Sequence, residues 1–276
     1  MAAISTKTDK ELAFLHDLFV ATDWCERFAS LVDEQVRLPE KGEALYLVCG
    51  TGGHAIALQE RAGEKLKFTG VDESKEYIEL ARAKAMATEL PIEFSQAPLN
   101  RLPLAENRFD LILADASLVS PRRVSQIWEE MVRVAKPGAT VSLYLPTASS
   151  FGEFFSIYWE ALHNCGLIGH EATVEHLITE LPTISEVEEL ARTYGLDEVL
   201  SLTRIEEFDY ESGEQFLKSP LISDFLMLGW LNTVPVESRP RVAAEIARLI
   251  NDERHEAEFA LTVKATLIMG RKSRSH

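Results

Sequence analysis

The chain is short of cysteine and of positive charge, and it has no long apolar run. Three cysteines, Cys25, Cys49 and Cys165, occur among 276 residues. They are odd in number and none has a second cysteine or histidine at ligand spacing. That excludes a disulfide framework and a zinc ribbon, implies no metal, and points to reduced thiols in a cytoplasmic protein. The opening MAAISTKTDKEL lacks the hydrophobic centre of a secretion signal, and no apolar stretch reaches about 18 residues. Neither export nor membrane insertion is expected. Lys and Arg total 28 against 44 Asp and Glu, for a net charge of -16. Such an excess repels polyanions, so nucleic acid is not an expected partner, and RKSR at 271–274 is read as a solvated end. Internal repeats and low-complexity linkers are also missing. With 46% hydrophobic residues, the length suits one large domain, or one domain with a substantial insertion.

What is present begins with LYLVCGTGGHA at 45–55, an apolar strand running into a glycine turn and a helix. Gly50 and Gly52 permit backbone angles closed to other residues, and the amides that open the following helix offer a positive dipole end. Asp72 closes the next apolar run, KFTGVD, and its carboxylate suits the paired hydroxyls of a ribose. Two cofactors satisfy this segment alone. Gly50, Gly52, Ala55 and Asp72 also fit the looser dinucleotide fingerprint of an NAD(P)-dependent oxidoreductase.

Periodicity organises the rest. Residues 8–36 read as a helix with Thr8 and Glu11 at capping-box spacing and Leu12, Leu15 and Phe19 on one face. From 44 onward, apolar runs alternate with helices through DLILAD at 110–115, the pattern of a parallel sheet covered on both faces. Pro121 opens a helix that turns Val124, Ile127, Trp128, Met131 and Val134 inward, and TVSLYL follows as a strand. Residues 147–182 read as mostly helical and rich in aromatics. Thr183 and Glu186 form a second capping box. A strand around 198–208, helices around 214–232 and 238–252, and a last strand EFALTVKATLIMG complete the chain. The expected organisation is a helical cover at 1–40, a Rossmann-like core at 41–146, a helical segment with the sixth strand at 147–208, a helical cap at 209–256, and the last strand with a basic tail at 257–276.

The order of these segments resembles class I methyltransferases that use S-adenosylmethionine, of the small-molecule kind allied to ubiquinone-biosynthesis and malonyl-carrier-protein methyltransferases. LYLVCGTGG resembles that family's glycine loop and GVDESKEYIELARAKA its second motif. LNRLPLAENRFDLILAD resembles the run into its fourth strand, and VAKPGATVSLYLP the passage through its fifth. The resemblance covers about 44–146. It implies a seven-stranded α/β sheet with helices on both faces and a reversed last strand, S-adenosyl-L-methionine as cofactor, and an apolar small molecule as methyl acceptor, with the later helices over the substrate. It places Tyr46, Cys49, Gly50, Thr51 and Gly52 along the methionine and ribose, and Asp72 on the ribose hydroxyls. Glu73, Ala97, Pro98 and Leu99 fall around the adenine, and Asp115 near the transferred methyl. No catalytic base and no oligomeric state is implied.

Three positions depart from the family. Tyr46 stands where an acidic residue normally takes the ammonium, Val48 where the first loop glycine belongs, and Pro98 where an acid normally receives the adenine amino group. They motivate a second reading, a methyltransferase-like protein that has lost catalysis. Other residues carry paired readings. His54 is a locally bonded surface residue or a backbone contact to the cofactor. His163 and His170 are surface residues or a general base. The aromatics Phe151, Phe154, Phe155, Tyr158 and Trp159, and the group Phe216, Phe225, Leu226 and Trp230, are core packing or an apolar lid. Arg122 and Arg123 are a candidate docking patch for an acidic carrier.

Overall fold

The computed structural model describes residues 7–167, 169, 171–253 and 259–274. Strands β1 (Gly42–Leu47), β2 (Leu66–Asp72), β3 (Glu93–Gln96), β4 (Phe109–Asp115), β5 (Ala135–Pro146), β6 (Leu196–Tyr210) and β7 (Phe259–Lys272) make one sheet in the order β3-β2-β1-β4-β5-β7-β6. β1 pairs in parallel with β2 on one side and β4 on the other, β2 with β3, and β4 with β5. Hydrogen bonds from Thr147 N to Lys264 O and from Phe151 N to Thr262 O descend along β7 as they ascend past β5, so the last strand is reversed. The sheet is therefore the seven-stranded α/β architecture expected above. Its strand order turns back between β1 and β4, and in such sheets ligands bind beyond the carboxyl ends at that switch.

The chain divides into two compact units. The larger comprises 9–145, 183–203 and 265–276. Its helices are α1 (Asp9–Leu15), a π-helical segment (His16–Cys25), α2 (Glu26–Gln35), α3 (Gly53–Ala62), α4 (Lys75–Thr88), α5 (Val124–Val134) and, in the smaller stretch, α8 (Ile184–Thr193). The inner strands are buried on both faces, which is why they read as unbroken apolar runs. Leu45, Leu47, Ile112, Val141 and Leu143 pack there with Trp128 and Met131 of α5, whose inward face falls as the sequence predicts. Thr183 and Glu186 form the capping box of α8. β5 begins at Ala135, earlier than the TVSLYL run, with an irregular register near Phe109 and Leu111.

The N-terminal helix differs from expectation. The face marked by Leu12, Leu15 and Phe19 is not the one that packs, and Phe19 is exposed. Ala13, His16, Val20, Trp24 and Phe28 are buried instead. A π-helix takes more residues per turn than an α-helix, so across 16–25 the inward positions recur every fourth residue. That shift carries His16 and Trp24 inward.

The other unit comprises 1–8, 146–182 and 204–264, of which 7–8 begin the described part. It contains α6 (Gly152–Asn164), α7 (Glu171–Glu180), α9 (Gly213–Lys218), a second π-helical segment (Leu221–Leu226), α10 (Met227–Trp230) and α11 (Arg239–Glu253). Phe154 stacks on Trp230 with ring centres 4.1 Å apart and lies 5.7 Å from both Tyr158 and Phe216. Phe151, Phe154, Phe155, Tyr158, Phe216 and Trp230 are all buried, so these aromatics form a core and not an exposed lid. The Tyr158 hydroxyl donates to Trp230 O at 3.0 Å, which satisfies its one polar group inside that core. Among the described residues, no helix is long and apolar enough to cross a membrane.

Candidate functional site

The turn after β1 lies at the switch point and is built from unusual backbone. Gly50 and Gly52 have φ of 54° and 80°, and Val48 has φ of 53°. A branched side chain in the left-handed region is strained by roughly 1–2 kcal/mol. The valine that replaces the family's first glycine thus keeps a glycine's conformation. At Gly52 an added Cβ would come within 2.8 Å of Ala81 and Phe94, and at Gly50 within 3.1 Å of the His16 ring. Gly52 is required by space as well as by angle, while Gly50 is required by its angle and closely approached by His16.

Asp72 ends β2 beside this turn. Its Oδ2 accepts from Gly50 N at 3.0 Å and its Oδ1 from Ser74 N at 2.9 Å, so it ties the glycine loop to the start of α4. A carboxylate has about four lone-pair sites, so these two bonds leave acceptor capacity on both oxygens. Burial pushes its pKa up to about 6, against the pull of the two backbone N–H groups. Glu73 follows. Its Oε1 accepts from Leu99 N at 3.1 Å and from Arg123 Nη2 at 2.7 Å, while its backbone oxygen accepts from Gln96. Arg123 is thereby paired with Glu73 while remaining partly exposed. Ala97 N donates to Asp72 O at 3.0 Å. Ala97 and Leu99 are buried and Pro98 is exposed.

The π-helical segment supplies residues that the linear sequence did not mark. The Asp17 carboxylate accepts from the Thr51 hydroxyl at 2.5 Å and pairs with Lys84, whose ammonium also reaches Thr51 at 3.3 Å. The His16 ring lies against Tyr77, with centroids 4.6 Å apart. Burial drops the His16 imidazole to about 4, Asp17 opposing and Lys84 adding, so it is neutral at physiological pH.

On the other side of β1, Tyr46 is fully engaged. Its hydroxyl lies 2.6 Å from the Tyr144 hydroxyl and 2.8 Å from His54 Nδ1, and His54 Nε2 lies 3.2 Å from Asp33 Oδ1. Asp115 at the end of β4 accepts from Ser117 N at 2.9 Å, and the Trp24 indole donates to the Ser117 hydroxyl at 3.0 Å. Burial raises the Asp115 carboxyl above its ordinary range, while hydrogen bonds from Ser117, Tyr144 and Cys25 hold it back. His54 is therefore locally bonded on both ring nitrogens. Cys49 is buried, and its thiol is pushed well up by burial and by Asp72, so it is an inert packing group. His163 is exposed, and His170 lies outside the described residues. Tyr144, Asp17 and Lys84 were missed because each meets the loop from a segment remote in sequence, with no local pattern to announce it.

The comparisons with known proteins bear on this geometry. The family described as "Methyltransferase domain" matches residues 44–138. Residues 44–138 thus match a methyltransferase domain. The demethylmenaquinone methyltransferase of Deinococcus radiodurans is 32% identical over 154 residues, covering 54% of this chain and 64% of the relative. That of Oceanobacillus iheyensis is 31% identical over 121 residues, covering 42% and 51%. The chain spans about half the length of most curated relatives it matches. In fold, the chain is similar to the YcgJ protein of Bacillus subtilis, with a TM-score of 0.60 at 16% identity over 91% of this chain and 100% of that one. It is also similar to the phosphoethanolamine N-methyltransferase 2 of Haemonchus contortus in complex with S-adenosyl-L-methionine, with a TM-score of 0.58 at 13% identity over 97% and 58%. The family match favours the methyltransferase over the NAD(P) oxidoreductase, which the glycine turn alone left open.

Proposed function

We propose that this protein transfers the methyl group of S-adenosyl-L-methionine to a nucleophilic atom of a largely apolar small molecule, in the cytoplasm. The observation that carries the reading is Asp72, a buried carboxylate at the end of β2 that holds Gly50 N and keeps acceptor capacity for two hydroxyls. The cofactor's fit is tested by the loop itself. A side chain at Gly52 would have no room and one at Gly50 would crowd the His16 ring, and the backbone is held open by left-handed angles even at Val48. On this reading Gly50, Gly52, Cys49 and Thr51 contribute backbone along the cofactor, Asp72 takes the ribose hydroxyls, and Glu73, Ala97, Pro98 and Leu99 border the adenine. When bound, S-adenosylmethionine supplies an electrophilic methyl on a sulfonium. The protein's task is then alignment and exclusion of water.

The relatives named demethylmenaquinone methyltransferase guide the choice of acceptor. Incubation with methyl-tritiated S-adenosylmethionine and a reduced short-chain demethylmenaquinone, followed by organic extraction, tests it. Label in the organic phase is the expected result. Absence of label from that quinol and from a panel of apolar phenols and amines would contradict the reading. A second reading, a binding protein without catalysis, is favoured by one observation: Tyr46 occupies the position of the family's ammonium-binding acid, and its hydroxyl is already committed to Tyr144 and His54. Loss of the charge-assisted bond costs roughly 1.5–3 kcal/mol. Failure to bind S-adenosylhomocysteine would support that second reading.

A further inference from the structure

Five side chains from five places in the larger unit form one file: Asp33 of α2, His54 of α3, Tyr46 of β1, Tyr144 of β5 and Asp115 at the end of β4. The contacts between successive members from Asp33 to Tyr144 are 3.2, 2.8 and 2.6 Å, and Asp115 is the register partner of Tyr144 across β4 and β5, near enough for the Tyr144 hydroxyl to act on its carboxyl. One end is exposed at Asp33, and the other lies at the carboxyl end of the sheet beside the glycine turn. Burying two tyrosine hydroxyls against each other is a poor way to pack a sheet, because each must be satisfied where apolar rings would need nothing. The groups facing the file are few. Cys25 and Ser117 face Asp115, Arg61 shares Asp33 with His54, and Cys49 and Asp72 lie close by.

We propose that this file is a proton relay that takes the proton of the methyl acceptor from Asp115 to His54 and so to solvent. The proposal rests on the methyl-transfer reading. Two bonding arrangements satisfy every donor in the file; they hold the same number of protons and differ in which end, Asp115 or His54, carries the transferred one. In the first, protonated Asp115 donates to Tyr144, Tyr144 to Tyr46, Tyr46 to His54 Nδ1, and His54 Nε2–H to Asp33. In the second, each proton has moved one place outward. His54 is then imidazolium and donates through Nδ1 to Tyr46, Tyr46 donates to Tyr144, and Tyr144 donates to the Asp115 carboxylate. An acceptor hydroxyl gives its proton to Asp115 as its oxygen bonds to the methyl carbon. The O–H electron pair stays on oxygen, the C–S bond breaks, and its pair stays on sulfur. The relay then charges His54, which releases the proton to water past Asp33. Asp115 is the catalytic base on this account, and Tyr144, Tyr46 and His54 act through it.

A shared proton gives the two ends a common titration. In the full-length protein, the infrared carboxylic-acid band lost in Asp115→Asn and the imidazole 15N signals of His54 are followed against pH, and S-adenosylhomocysteine binding is measured by calorimetry. Coincident midpoints are expected in the wild type. Tyr46→Phe, and Tyr144→Phe from the other side, should separate them by about one pH unit or more and slow methyl transfer about tenfold or more. Midpoints that are independent in the wild type, or still coincident in both variants, overturn the relay. Independent midpoints in a protein that binds S-adenosylhomocysteine overturn the relay and leave methyl transfer standing. Coincident midpoints without such binding overturn methyl transfer and leave only a proton-sharing network.

Discussion

The glycine turn and the aromatic cluster are both buried, yet they are held by opposite means. Around the turn, Asp72, Thr51, Tyr46 and His16 are polar groups out of water, and the backbone at Val48 is strained. Directional bonds hold them, as in Asp72 to Gly50 N or Thr51 to Asp17. In the cluster, Phe154, Trp230, Phe216 and Tyr158 hold together by area and ring geometry, with one hydroxyl to satisfy. The contrast teaches where stability and ligand binding are each vested. Removing a ring from the cluster destabilises the fold. Altering a polar group in the turn changes what can be bound and at which pH.

The largest expected effect breaks the cluster. Phe154→Ala should lower unfolding free energy by about 3–5 kcal/mol, the usual range for emptying a buried aromatic site. Denaturant titration measures it, and a loss below about 1 kcal/mol would contradict a core role for this ring.

The next effect belongs to the turn and depends on pH. Asp72 has its pKa raised in the folded state from 3.8 to about 6, so the unfolded chain ionises first as pH rises. Stability from this group is therefore full below pH about 4 and lost through pH about 6, a swing on the order of 3 kcal/mol. Asp72→Asn should flatten that segment of the wild-type stability curve, while Phe154→Ala should shift the whole curve without changing its slope there. Denaturation at pH 4 and pH 7 in all three proteins distinguishes the cases.

A smaller effect is on affinity. Asp72→Ala removes the acceptor for the ribose hydroxyls and should weaken S-adenosylhomocysteine binding by about 1.5–3 kcal/mol, or tenfold to a hundredfold. Wild-type affinity should also fall below pH about 6 as the carboxylate is protonated. The smallest effect is a gain. Val48→Gly relieves a left-handed valine at the cost of a more flexible unfolded chain, and should raise stability by up to about 1 kcal/mol. A loss of stability there would show that the valine's packing outweighs its strain.

Much of the larger unit is legible in the sequence because its cause is local. Apolar runs such as LYLVC and DLILAD must be buried, and the helices between them must cover the sheet. Gly50 and Gly52 have the left-handed angles their positions imply, and Asp72 meets the loop it follows by 22 residues. The illegible parts arise from contacts between remote segments or from a change of helix type. Tyr46 and Tyr144 lie 98 positions apart, and neither announces the other. The π-helical segment rotates His16, Val20 and Trp24 inward against a pattern that favours Leu12, Leu15 and Phe19. The aromatics near 151–159 and 216–230 follow helical spacing on more than one face, and only their mutual stacking separates core from lid.

Calorimetric titration of the purified protein with S-adenosylmethionine and S-adenosylhomocysteine, with NAD as control, tests the central claim most directly. Micromolar binding of both sulfur nucleosides, weakened about tenfold to a hundredfold in Asp72→Ala and absent with NAD, is the predicted result. No binding up to millimolar ligand would contradict the assignment of the Gly50–Asp72 turn as a cofactor site.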